Sequence, residues 1–364
     1  MNIYDFSLGN PNTPPPESVR EAAIAILKEA DPIFLHGYMS NTGYEDVRDT
    51  IAASLNAKHG TQYDRNNLIM TVGAAGSLNV ALKTILNPGD EVVLLAPFFG
   101  EYKNYISNFD GVSVVVEPDY TAFSINFGDL EKKLTEKTKA LIINSPNNPT
   151  GAIYPEADLK KLADLLRSKQ KEYGHAIYLI SDEPYREIVF GGQTVPYLPN
   201  FYENTFVGYS YSKSLSLPGE RIGYLLVNPR CADWQGVYAG LCGAGRALGF
   251  VCAPALFQHL LPYVSGLTGD LSAYKTNRDL LYTALTDLGF TVTRPDGAFY
   301  LFVKSPIPDA RAFSEAAKKY ELLLVPSDSF GVSGYLRISY CLDTDTIRRA
   351  LPAFQALAKE FIHE

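Results

Sequence analysis

The chain has 364 residues, 46% hydrophobic and 20% charged, the balance of an ordinary globular protein long enough for two lobes. Its 40 acidic and 32 basic residues give a formal charge of −8, so no overall field draws it to nucleic acid or an anionic membrane. No run approaches the roughly 18 apolar residues of a membrane span, and the start lacks the basic and apolar regions of an export signal, so a cytoplasmic protein is expected.

In chain order, SLGNP (residues 7–11) leads into PNTPPP, which reads as an extended polyproline-like entry segment. From residue 68 to 228, short apolar runs alternate with helical-period segments. NLIMTVG is a predicted strand, AAGSLNVALKTIL a helix, NPGD a turn and EVVLLAP the next strand. Further strands are predicted at VSVVVEP, KALIINSP, IYLISDEPY, TFVGYSYS and RIGYLLVN, with helices over residues 100–108 and 156–172. These runs are almost free of charge, as strands buried on both faces are. The expected fold class is α/β, a three-layer, mostly parallel sheet with helices on both faces. After residue 262 a long helix, the strands FTVTRP, AFYLFVKS and YLRISY, and two more helices predict a smaller α+β domain. The expected division is a large domain over 36–261 and a small one formed by 1–35 and 262–364. Cys231, Cys242, Cys252 and Cys341 form no CxxC pair and read as reduced packing residues; no metal site is expected.

Ligands of open α/β sheets bind at the carboxyl ends of strands, and five short segments fall there. TVGAAGSLN opens a helix, so the N–H groups of Gly73, Ala74 and Ala75 can cradle a phosphate, although the spacing is neither a P-loop nor a dinucleotide motif. APFFGEY offers Phe99 as a ring to lie over another ring. In NSPNNPTG, Asn148 precedes Pro149 and is thereby kept out of helical geometry, leaving its amide as a fixed donor. IYLISDEPY ends a buried run on Asp182, an acid that needs a cationic partner such as a protonated pyridine, and Tyr185 follows with a phenol. YSYSKSLSLPGERIGY sets Lys213 among serines, with Arg221 eight residues on. A lysine attacks an aldehyde only as the neutral amine, which burial or a neighbouring cation favours. A reactive lysine, a phosphate-binding arginine and an acid for a pyridine nitrogen together point to pyridoxal phosphate. Late in the chain, Arg337 is a charge inside the apolar run YLRISY and a candidate for bidentate binding of a carboxylate.

The order GAAG, PxF, NNPTG, SDExY, SxSK with an arginine eight later, and YLRIS resembles that of the fold-type I pyridoxal-phosphate enzymes, and within them the class I/II aminotransferases, over essentially the whole chain. The resemblance implies that Lys213 forms the internal aldimine and carries the proton, and that Asp182 holds the pyridine nitrogen protonated. It also implies that Asn148 and Tyr185 contact the ring 3-oxygen and that Phe99 stacks. Gly73, Ala74, Ala75, Ser210, Ser212 and Arg221 would then hold the phosphate, and Arg337 the substrate α-carboxylate near Gly9, Asn10 and Asn148. Tyr38 matches a tyrosine that such enzymes send into the neighbouring subunit's site, which implies a homodimer. Arg246 lies at about the place on the chain where aspartate-specific members carry a cation for the side-chain carboxylate, and a structural arginine is the equal alternative. Family members commonly carry an N-terminal arm before the counterpart of SLGNP, and six residues precede Ser7 here; the expectation is either a short or truncated form, or dimer contacts and active-site cover rebuilt from other parts.

The expected activity is transfer of an amino group from an amino acid, aspartate among the candidates, to a 2-oxo acid such as 2-oxoglutarate, through the pyridoxamine form. The alternative is a carbon–sulfur β-lyase of the same fold, which would share Lys213, Asp182 and Arg337. A non-enzymatic module retaining the cofactor is the third reading.

Overall fold

The structure is a computed structural model that describes residues 3–362; the outermost ends of the expected small domain, residues 1–2 and 363–364, lie outside it. Strand β1 (Tyr4–Asp5) precedes helices α1 (Glu17–Glu29), α2 (Pro32–His36) and α3 (Glu45–His59). The central sheet is built from β2 (Leu68–Thr71), β3 (Glu91–Leu95), β4 (Val112–Val116), β5 (Thr138–Asn144), β6 (Tyr178–Asp182), β7 (Thr205–Ser210) and β8 (Gly223–Val227). Its order is β2-β8-β7-β6-β5-β3-β4, with β8 antiparallel to both its neighbours and the remaining pairs parallel. Because β2 and β7 each pair antiparallel with β8, their carboxyl ends lie on the same edge of the sheet as those of β3, β5 and β6.

Two helical layers cover the sheet. Helix α4 (Gly73–Ile85) presents Leu78, Ala81, Leu82 and Ile85 to Val92, Leu94, Ile142 and Ile180 on one face. Helices α5 (Glu101–Ser107) and α6 (Phe127–Lys133) follow β3 and β4. Helix α7 (Glu156–Tyr173) repeats Leu159, Leu162, Ala163 and Leu166 at helical spacing and packs them on Val93, Leu141, Ile143 and Leu179 of the other face. Leu159, Leu162 and Leu166 are essentially removed from water, which contributes about 2 kcal/mol apiece. Gly174 ends it in the left-handed conformation. The short helix α8 (Tyr211–Ser214) follows β7 directly, capped by the Ser210 hydroxyl, which accepts from the Ser212 N–H. Helices α9 (Trp234–Ala247) and α10 (Ala255–Val264) complete this part of the chain.

Beyond it, α11 (Ser272–Asp287) leads into β9 (Val292–Thr293) and β10 (Tyr300–Lys304), then α12 (Ala310–Ala317), β11 (Leu322–Leu323), β12 (Val325–Pro326), β13 (Tyr335–Ser339) and α13 (Thr344–Phe361). The small sheet runs β12-β13-β10-β9, all antiparallel. Its core joins Leu281, Leu301, Ile338, Phe354 and Leu357.

The leading segment divides. Tyr4 and Asp5 pair in parallel with Leu322 and Leu323, and the Phe6 ring meets Phe354 edge-on at 5.2 Å, so the first strand attaches to the small layer. Helix α1, which the sequence reading placed there as well, instead buries Val19, Ala22 and Ile26 with Leu260, Leu261 and Val264 of α10 in the cluster that includes Leu68, Val207 and Leu226 of the large sheet. Its apolar stripe predicts a packed helix, but nothing local in it specifies which layer it meets. No helix among the described residues is long and apolar enough to cross a membrane.

Candidate active site

The carboxyl edge of the central sheet faces the small layer across a cavity of about 440 Å³. Strand register sets much of its floor. Asn144 pairs with Asp182 across β5 and β6, and Asp182 with Gly208 across β6 and β7, so the last residues of β5 and β6 form one row with Gly208 of β7. The Asn144 amide donates to the Asp182 main-chain carbonyl (2.8 Å), and its Oδ1 accepts from the Asn148 N–H (2.6 Å), which ties the NSPNNPTG loop to that row.

Asp182 is 5% exposed. Its Oδ2 accepts from the Tyr102 hydroxyl at 2.5 Å, whereas Oδ1 is buried without a hydrogen-bond partner. Burial pushes this carboxyl up to about 7, partly offset by the Tyr102 hydrogen bond, which favours the ionised form. A cation opposite Oδ1 would remove that penalty.

Lys213, on α8, donates to the main-chain oxygen of Gly9 (2.6 Å) and lies 5.4 Å from the centre of the Phe299 ring. Burial brings its amine down to about 8; the Cys341 thiol opposes that shift, while Arg221 and Arg337 reinforce it. The amine is therefore available in its neutral, nucleophilic form near neutral pH. Gly9 can approach this closely because it has no side chain: a Cβ there would collide with the Tyr300 hydroxyl.

Arg221 stands in the left-handed region at φ 50°, which turns its guanidinium toward Ser212 Oγ (3.5 Å) and the amino end of α4. A Cβ on Gly73, itself at φ 76°, would lie 2.9 Å from Arg221 Nη2, so only glycine lets the arginine reach this helix start. Ala74, Ala75, Ser210, Ser212 and Arg221 all line this end of the cavity, a helix amino terminus with two hydroxyls and a guanidinium, which suits a phosphate.

At the other end Arg337, carried by β13, donates to Asn148 Oδ1 (3.1 Å) and to the main-chain oxygen of Ser7 (2.8 Å). Its guanidinium lies 4.6 Å from the Tyr300 ring centre and 5.0 Å from that of Phe330. Its Nε is buried without a partner. The site thus holds one acceptor, Asp182 Oδ1, and one donor, Arg337 Nε, each buried and unmatched by protein. These are the demands of a ligand with a cationic ring nitrogen and of one with a carboxylate. Tyr185 lines the same cavity, its hydroxyl 3.0 Å from that of Tyr300, and Phe99 is on the wall, edge-on to Tyr102 at 5.6 Å.

Most residues singled out from the sequence meet here: Gly9, Ala74, Ala75, Phe99, Asn148, Asp182, Tyr185, Ser210, Ser212, Lys213, Arg221 and Arg337 all line the cavity. Four do not. Gly73 stands just behind it; Asn10 is exposed; Tyr38 is 93% exposed on a separate surface depression after α2; and Arg246 is exposed in the last turn of α9. Tyr102, Asn144 and Tyr300 were missed. Tyr102 follows Phe99 by three residues, which places the two rings on one side of a helical turn, and Asn144 is a polar residue closing an apolar strand. Tyr300 had no signal, since AFYLFVKS reads as a plain core strand.

Against known proteins, the sequence model of the family described as aminotransferase class I and II matches residues 1–354. A probable aspartate/prephenate aminotransferase from Aquifex aeolicus is 31% identical, with 95% of this chain and 89% of that protein covered. Among solved structures, an amino transferase from Eubacterium rectale superposes with a TM-score of 0.97 at 48% identity, covering 99% of this chain and 91% of that one. The aspartate aminotransferase of Thermus thermophilus, solved with maleate, gives 0.88 at 28% identity, covering 98% and 92%.

Proposed function

This chain belongs to the family of class I and II aminotransferases, and on that footing we propose how its residues divide the work of a pyridoxal-phosphate-dependent transamination. The observation that carries the assignment is Asp182 Oδ1, a buried carboxylate oxygen with no protein partner, on the same cavity wall as a lysine whose amine is shifted toward neutrality. Bound there, pyridoxal phosphate supplies an aldehyde that takes up the substrate nitrogen and a cationic ring that draws electrons from Cα.

Lys213 is the covalent anchor, and its freed amine is the base that takes the proton from the substrate Cα and the acid that returns it. Asp182, held by Tyr102, keeps the ring nitrogen protonated. The helix start at Gly73, Ala74 and Ala75 binds the phosphate with Ser210, Ser212 and Arg221. Asn148 and Tyr185 would hold the ring oxygen, and Phe99 would supply an apolar wall for the ring. Arg337 takes the substrate α-carboxylate as a bidentate partner, steadied by Asn148 and by the Ser7–Gly9 segment; Asn10 extends that segment.

We assign the amino donor as aspartate, by analogy with the printed names of the Aquifex and Thermus relatives, and 2-oxoglutarate as the acceptor. The cations lining this chain's own cavity are Lys213, Arg221 and Arg337, each already committed. A second substrate carboxylate therefore calls on Arg246, which has no ion-pair partner among the described residues, offered from a partner subunit. Tyr38 is assigned the same route, to the partner's phosphate site. The exposure of Ile33 (85%), Phe34 and Tyr38 on and after α2 supports a homodimer that covers them. Four free cysteines suit a reducing cytoplasm. The pairing of β1 with β11 supports a small domain built from both ends of the chain (1–35 and 262–364) around a large one (36–261), and the packing of α1 supports moving that helix to the large domain.

The test is a panel of amino donors against 2-oxoglutarate. Glutamate formation from aspartate, lost selectively in Arg246→Ala, is expected. Release of pyruvate and ammonia from cystathionine without any acceptor would overturn the reading in favour of β-elimination.

A further inference from the structure

Behind α8, away from the active-site cavity, lies a second cavity of about 200 Å³ whose walls include Lys58, His59, Glu187, Tyr209, Tyr211 and Tyr224. We propose that Glu187 is a positioning residue for Lys213, acting through Tyr209 and Ser214. The inference rests on the reading of Lys213 as the covalent anchor.

The Tyr209 hydroxyl lies 2.9 Å from Glu187 Oε2 and 2.8 Å from Ser214 Oγ. A phenol has one hydrogen and a carboxylate can only accept, so Tyr209 donates to Glu187 and the Ser214 hydroxyl donates to Tyr209. The direction of the whole chain is thereby set by the acid at its far end. Burial raises the Tyr209 phenol well above its ordinary range, with Glu187 adding to the shift, so it stays a donor at any working pH. Glu187 in turn meets the half-exposed Lys58 at 3.3 Å.

Ser214 directly follows Lys213 and closes α8. A helix of four residues has almost no orientation of its own and takes it from what grips it. Tyr209 grips both ends: its ring meets Tyr211 edge-on at 5.1 Å, and its hydroxyl holds Ser214. The ring is itself stacked on Tyr224 at 5.0 Å, and Gly269 N–H anchors the Ser214 carbonyl at 2.7 Å. Rings and backbone fix where α8 sits; the hydrogen-bond chain from Glu187 fixes its rotation, which decides whether the Lys213 amine points into the active-site cavity.

The readout is covalent attachment of pyridoxal phosphate to stripped protein, followed by absorbance across pH 6–10 and expressed per folded molecule. Tyr209→Phe keeps the ring, and Glu187→Gln keeps an oxygen that accepts the same hydrogen. Attachment slowed about tenfold and a displaced pH midpoint are expected in Tyr209→Phe and Glu187→Ala, with Glu187→Gln close to the parent. Tyr209→Phe and Glu187→Ala attaching at the parent rate and midpoint, or Glu187→Gln failing as badly as Glu187→Ala, would overturn the proposal. Ser214→Ala, which cuts the chain without touching the tyrosine cluster, must match Tyr209→Phe, and parent-like attachment there is equally fatal. Attachment that survives in Lys213→Ala would sink the anchor reading instead, and so separates the two failures.

Discussion

Tyr102 donates a 2.5 Å hydrogen bond to Oδ2 of Asp182 and leaves Oδ1 as the carboxylate's only open acceptor. Both side chains are buried, so the bond works in a low dielectric, where a charge-assisted contact contributes about 1.5–3 kcal/mol. It does two things at once: it orients the carboxylate, and it favours ionisation of a group that burial pushes up to about 7.

Tyr102→Phe should therefore weaken retention of pyridoxal phosphate by roughly ten- to a hundredfold, read by equilibrium titration of stripped protein. The sign of its pH dependence follows from the shift. Loss of a hydrogen bond to the ionised form raises the Asp182 pKa still further, so the deficit is largest at and below neutral pH and narrows as alkali ionises the acid. A deficit that does not vary with pH would point to lost packing alone.

Lys213 attacks only when unprotonated, and its pKa is lowered to about 8. Covalent attachment of the cofactor should accelerate about tenfold per pH unit on the acid side and level off above pH 8. An ordinary lysine would keep accelerating to pH 10 and beyond. Lys213→Ala should show no attachment and lose at least about 10³-fold in kcat.

Arg337→Lys keeps the charge and discards the planar fork. Since Nη1 and Nη2 also hold Asn148 and the Ser7 carbonyl, a lysine cannot serve all three partners. We expect kcat/KM for the amino donor to fall about a hundredfold with cofactor affinity unchanged. Parallel loss of both would show that the substitution has disturbed the fold of the site.

Tyr38 is almost fully exposed, so its proposed place in the site of a second copy of the chain is open to complementation. Mixing Lys213→Ala with Tyr38→Ala protein under conditions that exchange subunits should restore activity, because each hybrid dimer holds one site with both groups intact. Tyr38→Ala alone should bind the cofactor about tenfold more weakly, by loss of one hydrogen bond to a charged group. Absence of recovery in exchanged mixtures would remove Tyr38 from the site.

Much of the fold and the site could be read along the chain. Residue runs such as KALIIN and IYLISD announce buried strands through their unbroken apolar character, and the polar residues that close them, Asn144 and Asp182, stand at strand ends for the same local reason. Glycine 73 at a strand-to-helix turn and Ser210 ahead of α8 are likewise local signals, because backbone dihedral demands and helix caps involve only neighbouring residues. Tyr300 gave no such sign. Its hydroxyl matters because Gly9 and Tyr185 come up against it from far away in the chain, and alternation along β10 says nothing of that. The layer that helix α1 meets is not legible either, because an amphipathic stripe states that a face is buried without stating against what.

By itself the sequence determined the chemical inventory, a lysine, an acid, two arginines and a glycine-led helix start, and the local backbone on which each stands. Only the tertiary structure decided what those groups become. Arg337 meets the Ser7 carbonyl across 330 residues, Lys213 is shifted by burial under the Gly9 carbonyl, and Asp182 is left with one oxygen unmatched because Tyr102 takes the other. Desolvation and hydrogen-bond pairing depend on which surfaces are pressed together, and that is a property of packing, which periodicity along the chain does not encode.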